Sequence, residues 1–173
     1  MISSALYLFF ITLRDFFSKR FKNLAQNTAH FGFSLLILSI LFNSLFSSEI
    51  ITNLKVGQTF ENTKTKIVFE SLNQKEGENY KSIIGNFIVQ DSKGKIENLS
   101  PELRIYNQPN ITTSEADIKT TLLSDKFMVI NIVQNQEFFN VRYQVKPFML
   151  WIWISVILIS FGGLISFVKK EYE

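Results

Sequence analysis

The chain has 173 residues, of which 46% are hydrophobic, and it carries a net charge of +3 at pH 7. It has no cysteine and one histidine, which excludes disulfides, thiolate metal sites, cysteine nucleophiles and any multi-histidine metal site within the chain. The region 48–147 carries equal numbers of basic and acidic side chains, so the positive surplus lies in the flanks and nucleic-acid binding is not expected.

The chain begins with a short apolar run from Ala5 to Leu13, which Arg14 and Asp15 interrupt. The run is too short to cross a membrane alone, and it is typical either of an interfacial segment or of the end of a spanning helix. A cleavable signal peptide is not expected, because the basic residues follow the apolar run instead of preceding it. We therefore assign 1–27 to a partial or interfacial apolar segment and a basic connector.

Two later segments have the length and composition of membrane-spanning helices. Residues 28–47 contain few strongly polar side chains, and residues 148–168 contain no charged side chain. At about 1.5 Å per residue each can cross the roughly 30 Å hydrocarbon layer of a bilayer. Trp151 and Trp153 are typical of the interface between membrane and water. We therefore predict two transmembrane helices.

The basic residues of the flanks predict the orientation of these helices. Lys19, Arg20 and Lys22 precede the first helix, and Lys169 with Lys170 follows the second. The positive-inside rule places both sets on the cytoplasmic or matrix side, where the tail 169–173 also lies. The intervening domain is then expected on the opposite side, in the periplasm or the intermembrane space.

The intervening region, 48–147, has the pattern of a β domain. Short runs rich in Ile, Val and Phe are separated by turn residues at 76–77, 91–94 and 108–109. The segment 114–119 is the only one there with a helical pattern, with Ser114 as a possible N-cap. The predicted fold is two transmembrane helices bracketing a small antiparallel all-β domain, barrel- or sandwich-like. The predicted strands are 64–72, 81–90, 95–99, 103–106, 127–133 and 138–145.

No catalytic signature is present, and no catalytic residue is assigned. The sequence lacks a glycine-rich phosphate loop, metal-spaced carboxylates and a glycine-flanked nucleophilic serine. The carboxylates of the β domain are scattered among lysines, which indicates a solvated surface.

His30 is the residue whose position predicts a function. It lies in the first turn of the predicted helix 28–47, where exposing an ionisable group to lipid costs about 2.5 kcal/mol or more. Gly32 beside it would let a planar cofactor or another helix approach closely. Neutral imidazole is a common axial ligand of haem iron. Alternatively, the side chain extends to the interface and bonds to water or lipid headgroups.

Six sequence elements, in order along residues 28–168, resemble the carboxy-terminal part of the cytochrome c-type biogenesis protein CcmF family, the haem lyase component of the cytochrome c maturation system. They correspond to the family's AHxG, LxPExRxY, TEAAI, DLYV, VRxYYKPFVRWIW and GGL segments. In this chain they are Ala29–Gly32, Leu99–Tyr106, Thr113–Ile118, Asp125–Met128, Val141–Trp153 and Gly162–Leu164.

The resemblance implies that the chain supports covalent haem attachment to apocytochrome c on the outer face of the membrane. It implies that His30 is one axial ligand of a membrane b-haem, which the family binds through two histidines, and that another chain supplies the second ligand. The implied partners are other CcmF-type haem lyase chains, the haem chaperone, CcmH-type subunits and apocytochrome c. Within the β domain, a docking patch is expected at Pro101, Glu102, Arg104 and Tyr106, although a salt-bridged turn would account for these residues equally well.

The chain also departs from the family. It lacks the family's tryptophan-rich haem-handling motif, and Val129-Ile130 replaces the Leu-Gly that follows DLYV. The resemblance covers only the carboxy-terminal quarter of the full protein, so we expect a separately encoded piece that works with partner chains. A mitochondrial inner membrane is the expected location, with a bacterial inner membrane as the alternative. The alternative function is a two-helix scaffold that tethers a β domain to another respiratory or transport complex, without haem.

Overall fold

The computed structural model describes residues 2–17, 24–133 and 137–171, with side chains as far as Val168. The predicted connector residues Lys19, Arg20 and Lys22 lie outside these ranges. The chain divides into a helical unit, made of Met1–Ser47, Thr120–Asp125 and Lys146–Glu173, and a β unit, made of Ser48–Lys119 and Lys126–Val145.

The helical unit contains three helices in the described part of the chain: α1 (Ile2–Phe17), α2 (Leu24–Phe46) and α3 (Met149–Glu171). By length and composition, α2 and the Met149–Val168 part of α3 can each cross a membrane. The first of these helices begins four residues earlier than the predicted Thr28, because Leu-Ala-Gln-Asn contains no residue that stops a helix.

Helix α1 runs antiparallel to α2 and is joined to it by polar side chains. The hydroxyls of Thr12 and Ser34 lie 2.5 Å apart, and both side chains are buried. Closer to the connection between the helices, the Asn27 amide donates to the backbone oxygen of Asp15 at 3.0 Å. These bonds satisfy polar groups that would otherwise be buried without partners.

Helices α2 and α3 approach closely at two glycines. A Cβ atom added to Gly32 would lie 2.9 Å from the Cβ of Leu158. One added to Gly162 would lie 2.7 Å from the Ala29 nitrogen and 2.8 Å from the Ala25 oxygen. Backbone contact of this kind requires small residues, as in membrane helix pairs.

The β unit is an antiparallel sandwich of two sheets. One sheet has the order β1-β10-β9-β8, and the other has the order β2-β3-β4-β6-β7, with β5 also paired to β4. Ser48 pairs with Val145, so the two ends of the unit are adjacent. The described strands are β1 (Ser48–Leu54), β2 (Thr59–Glu61), β3 (Thr65–Glu76), β4 (Tyr80–Asp91), β5 (Ile96–Leu99), β6 (Glu102–Tyr106), β7 (Ile111–Glu115), β8 (Asp117–Thr120), β9 (Ser124–Ile132) and β10 (Phe139–Pro147).

The core of the sandwich lies between the sheets and is built from alternate residues of the strands. The rings of Phe69 and Phe87, on β3 and β4, stack with centroids 4.2 Å apart. Met128 and Ile130 of β9 and Val141 of β10 meet them from the other sheet and are fully buried. This two-sided burial follows from the period-two pattern of the strands.

The predicted fold class is confirmed, and within it the structure is a sandwich. The six predicted strands correspond to β3, β4, β5, β6, β9 and β10. The predicted helical turn at 114–119 is wrong, because these residues lie in β7, β8 and the link between them. Ser114 pairs with Leu103 in the sheet, and its hydroxyl bonds to the Asn131 side chain instead of capping a helix.

Candidate functional site

His30 lies on a face of α2 that neither neighbouring helix covers. Its side chain is exposed, as are those of Gln26, Phe33 and Ile40 at the same helical face. Phe33 is 54% exposed and Ile40 is 51% exposed, which makes this face apolar apart from the histidine and the glutamine. Among the residues that the structure describes, the imidazole has no hydrogen-bond or ion-pair partner. The ring nitrogens are therefore available to an external group.

Helix α3 occupies the space that a side chain at Gly32 would fill. Leu158 of that helix lies where a Gly32 side chain would be. Of the two occupants predicted for this space, another helix is the one observed. A planar group bound by His30 would have to approach from the exposed face that carries Phe33.

His30 lies deeper in α2 than the predicted first turn. The helix begins at Leu24, so His30 is about 9 Å along its axis. Over the ranges 2–17, 24–133 and 137–171, no group of three or more metal-ligating His, Asp or Glu side chains is found. Among the described residues, His30 therefore does not belong to a multi-residue metal site of this kind.

The predicted docking residues lie on strand β6, and three of them share one face of the six-stranded sheet. Glu102, Arg104 and Tyr106 alternate toward this outer face, whereas Leu103 between them is buried. Pro101 is also fully buried, so it does not join the other three. Of the alternative, a salt-bridged turn, the ion pair between Glu102 and Arg104 is present, but the turn is not, because both residues lie in a strand.

Arg104 holds this patch together. Its Nε and Nη2 atoms donate to the two carboxylate oxygens of Glu102, each at 3.1 Å. Its guanidinium lies 5.0 Å from the ring centre of Tyr80, the residue paired with Tyr106 on β4. The Arg104 hydrogen bond holds the pKa of Glu102 below its usual value, and the same bond raises the pKa of Arg104. We call Tyr80, Glu102, Arg104 and Tyr106 the outer-face patch.

Sequence reasoning missed Tyr80 and a second charged group, at Glu97. The Glu97 carboxylate forms ion pairs with the Nζ of Lys126 at 2.7 Å and with the Nζ of Lys95 at 2.6 Å. Its side chain is only 12% exposed. Lys126 belongs to β9, so the pair bridges the two sheets. Burial alone would raise the pKa of Glu97, but the bonds from Lys126 and Lys95 outweigh it and lower the pKa. Burial, reinforced by the Glu97 charge, raises the pKa of Tyr143.

The sandwich corresponds to a known family. The family model described as the CcmF C-terminal beta-sandwich matches residues 45–147. The chain belongs to this family. Its strands β1 to β10 therefore form the carboxy-terminal sandwich of CcmF-type proteins, and the resemblance inferred from the six sequence elements is confirmed.

Individual relatives agree with the family match. The chain is 28% identical over 145 residues to the cytochrome c-type biogenesis protein CcmF of Pseudomonas aeruginosa and 31% identical over 145 residues to the biogenesis protein ccl1 of Rhodobacter capsulatus. Each match covers 84% of this chain and 22% of the relative. The chain therefore spans about a fifth of the length of these curated relatives.

A solved structure has the same fold. The structure titled "Cytochrome c Heme Lyase CcmF" superposes with a TM-score of 0.70 at 15% identity. The superposition covers 92% of this chain and 28% of the other. At this identity the likeness shows the fold alone, and it extends beyond the 45–147 region that the family model matches.

Proposed function

We propose that this chain is a membrane-anchored part of a cytochrome c haem lyase, which supports covalent haem attachment to apocytochrome c. The observation that carries the proposal is the CcmF family match over residues 45–147. Relatives of this chain are named cytochrome c-type biogenesis proteins, and the structural neighbour is titled a haem lyase. Helices α2 and α3, which can each cross a membrane, support an inner-membrane location, mitochondrial or bacterial.

The chain works with partners in this proposal. It spans 22% of the relatives' length, and it contains neither the tryptophan-rich motif nor a second histidine. Other CcmF-type chains are proposed to supply both. The haem chaperone, CcmH-type subunits and apocytochrome c complete the proposed set. The β-sandwich lies on the side of the membrane opposite the basic flanks, as the positive-inside rule requires.

His30 is proposed to be one axial ligand of a b-haem within the membrane. Three observations support this: the imidazole is exposed, it has no partner among the described residues, and it lies about 9 Å along α2, where an unpaired ionisable group facing lipid is unfavourable. A ring nitrogen of the neutral imidazole would hold the iron, and the neighbouring Phe33 would offer an apolar surface beside it. The bound haem would supply a one-electron redox centre.

The outer-face patch is proposed to dock a partner chain. The Arg104 side chain is 32% exposed while its carboxylate partner is 21% exposed, so the guanidinium remains reachable beside two tyrosine rings. Arginine and tyrosine are enriched where protein interfaces concentrate their binding energy.

Purification of the full chain from its native membranes tests the proposal. A tagged chain extracted in mild detergent should recover haem lyase and haem chaperone subunits together with a reduced b-haem spectrum. Recovery with a transporter or respiratory core, without haem, would instead support the scaffold function and contradict ours. The variant Arg104→Ala should lower the recovery of partners, whereas Lys81→Ala, which removes an exposed ion pair with Glu76, should not.

A further inference from the structure

The turn between β8 and β9 is fixed to the beginning of α3. The backbone N–H of Phe148 donates to the Leu123 oxygen at 2.9 Å, and the Trp151 indole N–H donates to the Leu122 oxygen at 2.8 Å. We call residues 121–124 the dileucine turn. Both acceptors are backbone carbonyls, so the hydrogen bonds fix the position of the turn and leave its side chains free.

The two leucines of this turn point away from the protein. Leu122 is 62% exposed and Leu123 is 61% exposed. Adjacent leucines exposed to this extent on a short turn are unfavourable in water, because burying each side chain would remove its apolar surface from contact with water.

The polar groups at the ends of the turn are already satisfied. The Thr121 hydroxyl donates to the Ser124 oxygen at 2.7 Å and accepts from the Ser124 N–H at 3.1 Å. The Thr121 N–H donates to the same oxygen at 3.0 Å. The Leu122 and Leu123 carbonyls are also bonded, so these groups keep their hydrogen bonds when the turn enters the interfacial layer.

The hydrogen bonds also set the depth of the leucines. Trp151 lies in the first turn of α3, and tryptophan is enriched where a spanning helix enters the membrane. The end of α2 is tied to the same level, because the Asn43 amide donates to the Pro147 oxygen at 2.7 Å and the Phe42 ring lies 5.3 Å from the Phe148 ring. The dileucine turn therefore lies at the level where both helices leave the hydrocarbon.

We propose that Leu122 and Leu123 insert into the interfacial layer of the lipid bilayer, as a membrane contact additional to α2 and α3. Lipid is the occupant that the observations favour, because the turn is bonded to the beginning of α3, a helix whose exposed side chains include the apolar Ile157 and Phe161, at 65% and 58% exposure. A protein partner would need an interface of roughly 1,000 Å², which two leucines do not provide. The inference rests on the proposed membrane insertion of α3 and is independent of haem ligation.

The absence of native cysteine makes the test direct. The variants Leu122→Cys and Leu123→Cys, each carrying a polarity-sensitive fluorophore, are reconstituted as the full chain in phosphatidylcholine vesicles. We expect emission shifted to shorter wavelength and quenching by lipids that carry a nitroxide near the headgroup. The control Lys119→Cys, on the exposed end of β8, should be quenched from water, and the control Ile157→Cys, within α3, by a nitroxide deep in the acyl chains.

A second measurement avoids the bulk of the fluorophore. The free thiols of Leu122→Cys and Leu123→Cys should react about tenfold more slowly with a membrane-impermeant maleimide than the thiol of Lys119→Cys. A factor of this size corresponds to the free energy of partly burying one such side chain in the bilayer interface. Reaction at the rate of Lys119→Cys would overturn the inference. So would labels that are exposed to water in vesicles and shielded only when partner chains are present, since a protein would then be the occupant. If a label on Ile157→Cys were exposed to water, α3 would not be inserted in the membrane. That result would overturn both the insertion of Leu122 and Leu123 and the proposed membrane-anchored function.

Discussion

Glu97 shows how a single carboxylate can differ from the rest of a charged surface. In the sequence it follows Lys93 and Lys95, and the interpretation of all such carboxylates as solvated is wrong for this one. Its partner Lys126 lies on β9, in the opposite sheet, and the sequence shows no sign of that contact. With side-chain exposures of 12% and 13%, the pair is largely removed from water.

We expect Glu97→Gln to lower the free energy of unfolding by about 2 kcal/mol or more, because Lys126 would keep its charge without a compensating carboxylate. Urea unfolding of the β unit measures the loss. The matched control is Glu76→Gln, whose ion pair with Lys81 is exposed and should contribute little. Equal effects of the two variants would contradict the assignment of a buried pair.

The same residue predicts a pH dependence. The pKa of Glu97 is lowered in the folded state, so its contribution to stability is present above its unfolded pKa of about 4.5 and is lost as the pH falls through the folded pKa. Between pH 7 and pH 3, the stability difference between the wild type and Glu97→Gln should therefore shrink. A difference that stays constant over this range would show that the carboxylate charge is not the cause.

At the scale of the elements, the contact between α2 and α3 depends on glycine at particular positions. Gly162 lies against the backbone of α2, whereas its neighbour Gly163 has no atom within 4 Å of where a side chain would begin. Two adjacent, chemically identical residues thus have opposite surroundings, which provides a matched pair of substitutions.

We expect Gly162→Ala to destabilise the helical unit by about 1–3 kcal/mol, because the added carbon would overlap the Ala29 backbone nitrogen. Gly163→Ala should be neutral or stabilising by up to about 1 kcal/mol, since alanine favours the helix. Thermal unfolding in detergent, or resistance to a protease, compares the two. Greater damage from Gly163→Ala would contradict the described packing.

The strands show what could be predicted at this scale and why. The six strands found from the sequence have β-branched and aromatic residues between clear turns. Strands β7 and β8 were missed because Ser-Glu-Ala-Asp resembles a helix start, although pairing with β6 determines its conformation. Local propensity is a weak preference, and the tertiary context overrides it here. Strand β1 was missed because Ser-Glu-Ile-Ile-Thr-Asn directly follows a predicted helix and has no turn residue before it.

At the scale of the whole molecule, Ser48 pairs with Val145, so the chain enters and leaves the β unit at neighbouring residues. The β unit has its own core, to which both sheets contribute. We expect residues 48–145, expressed without the helices, to fold and to unfold cooperatively on heating, as circular dichroism would show. An unfolded product would mean that the helical unit is needed to hold the sheets together.

The candidate site was only partly predictable. His30 could be singled out because an imidazole in an apolar helix needs a partner, and that chemistry is independent of the fold. The sequence could not predict the face of α2 on which His30 lies, because that depends on which sides of α2 the other helices cover. Predicting the outer-face patch would have required the register of β4 against β6, which brings Tyr80 beside Tyr106.

The reduced haem spectrum of the complex that contains His30→Ala tests the central claim most directly. The matched control is Gln26→Ala, one turn earlier on the same exposed face. We expect His30→Ala to be recovered with its partner chains but without the b-haem absorbance, which added imidazole should partly restore, while Gln26→Ala keeps the full spectrum. An unchanged b-haem spectrum in the His30→Ala complex would contradict the account.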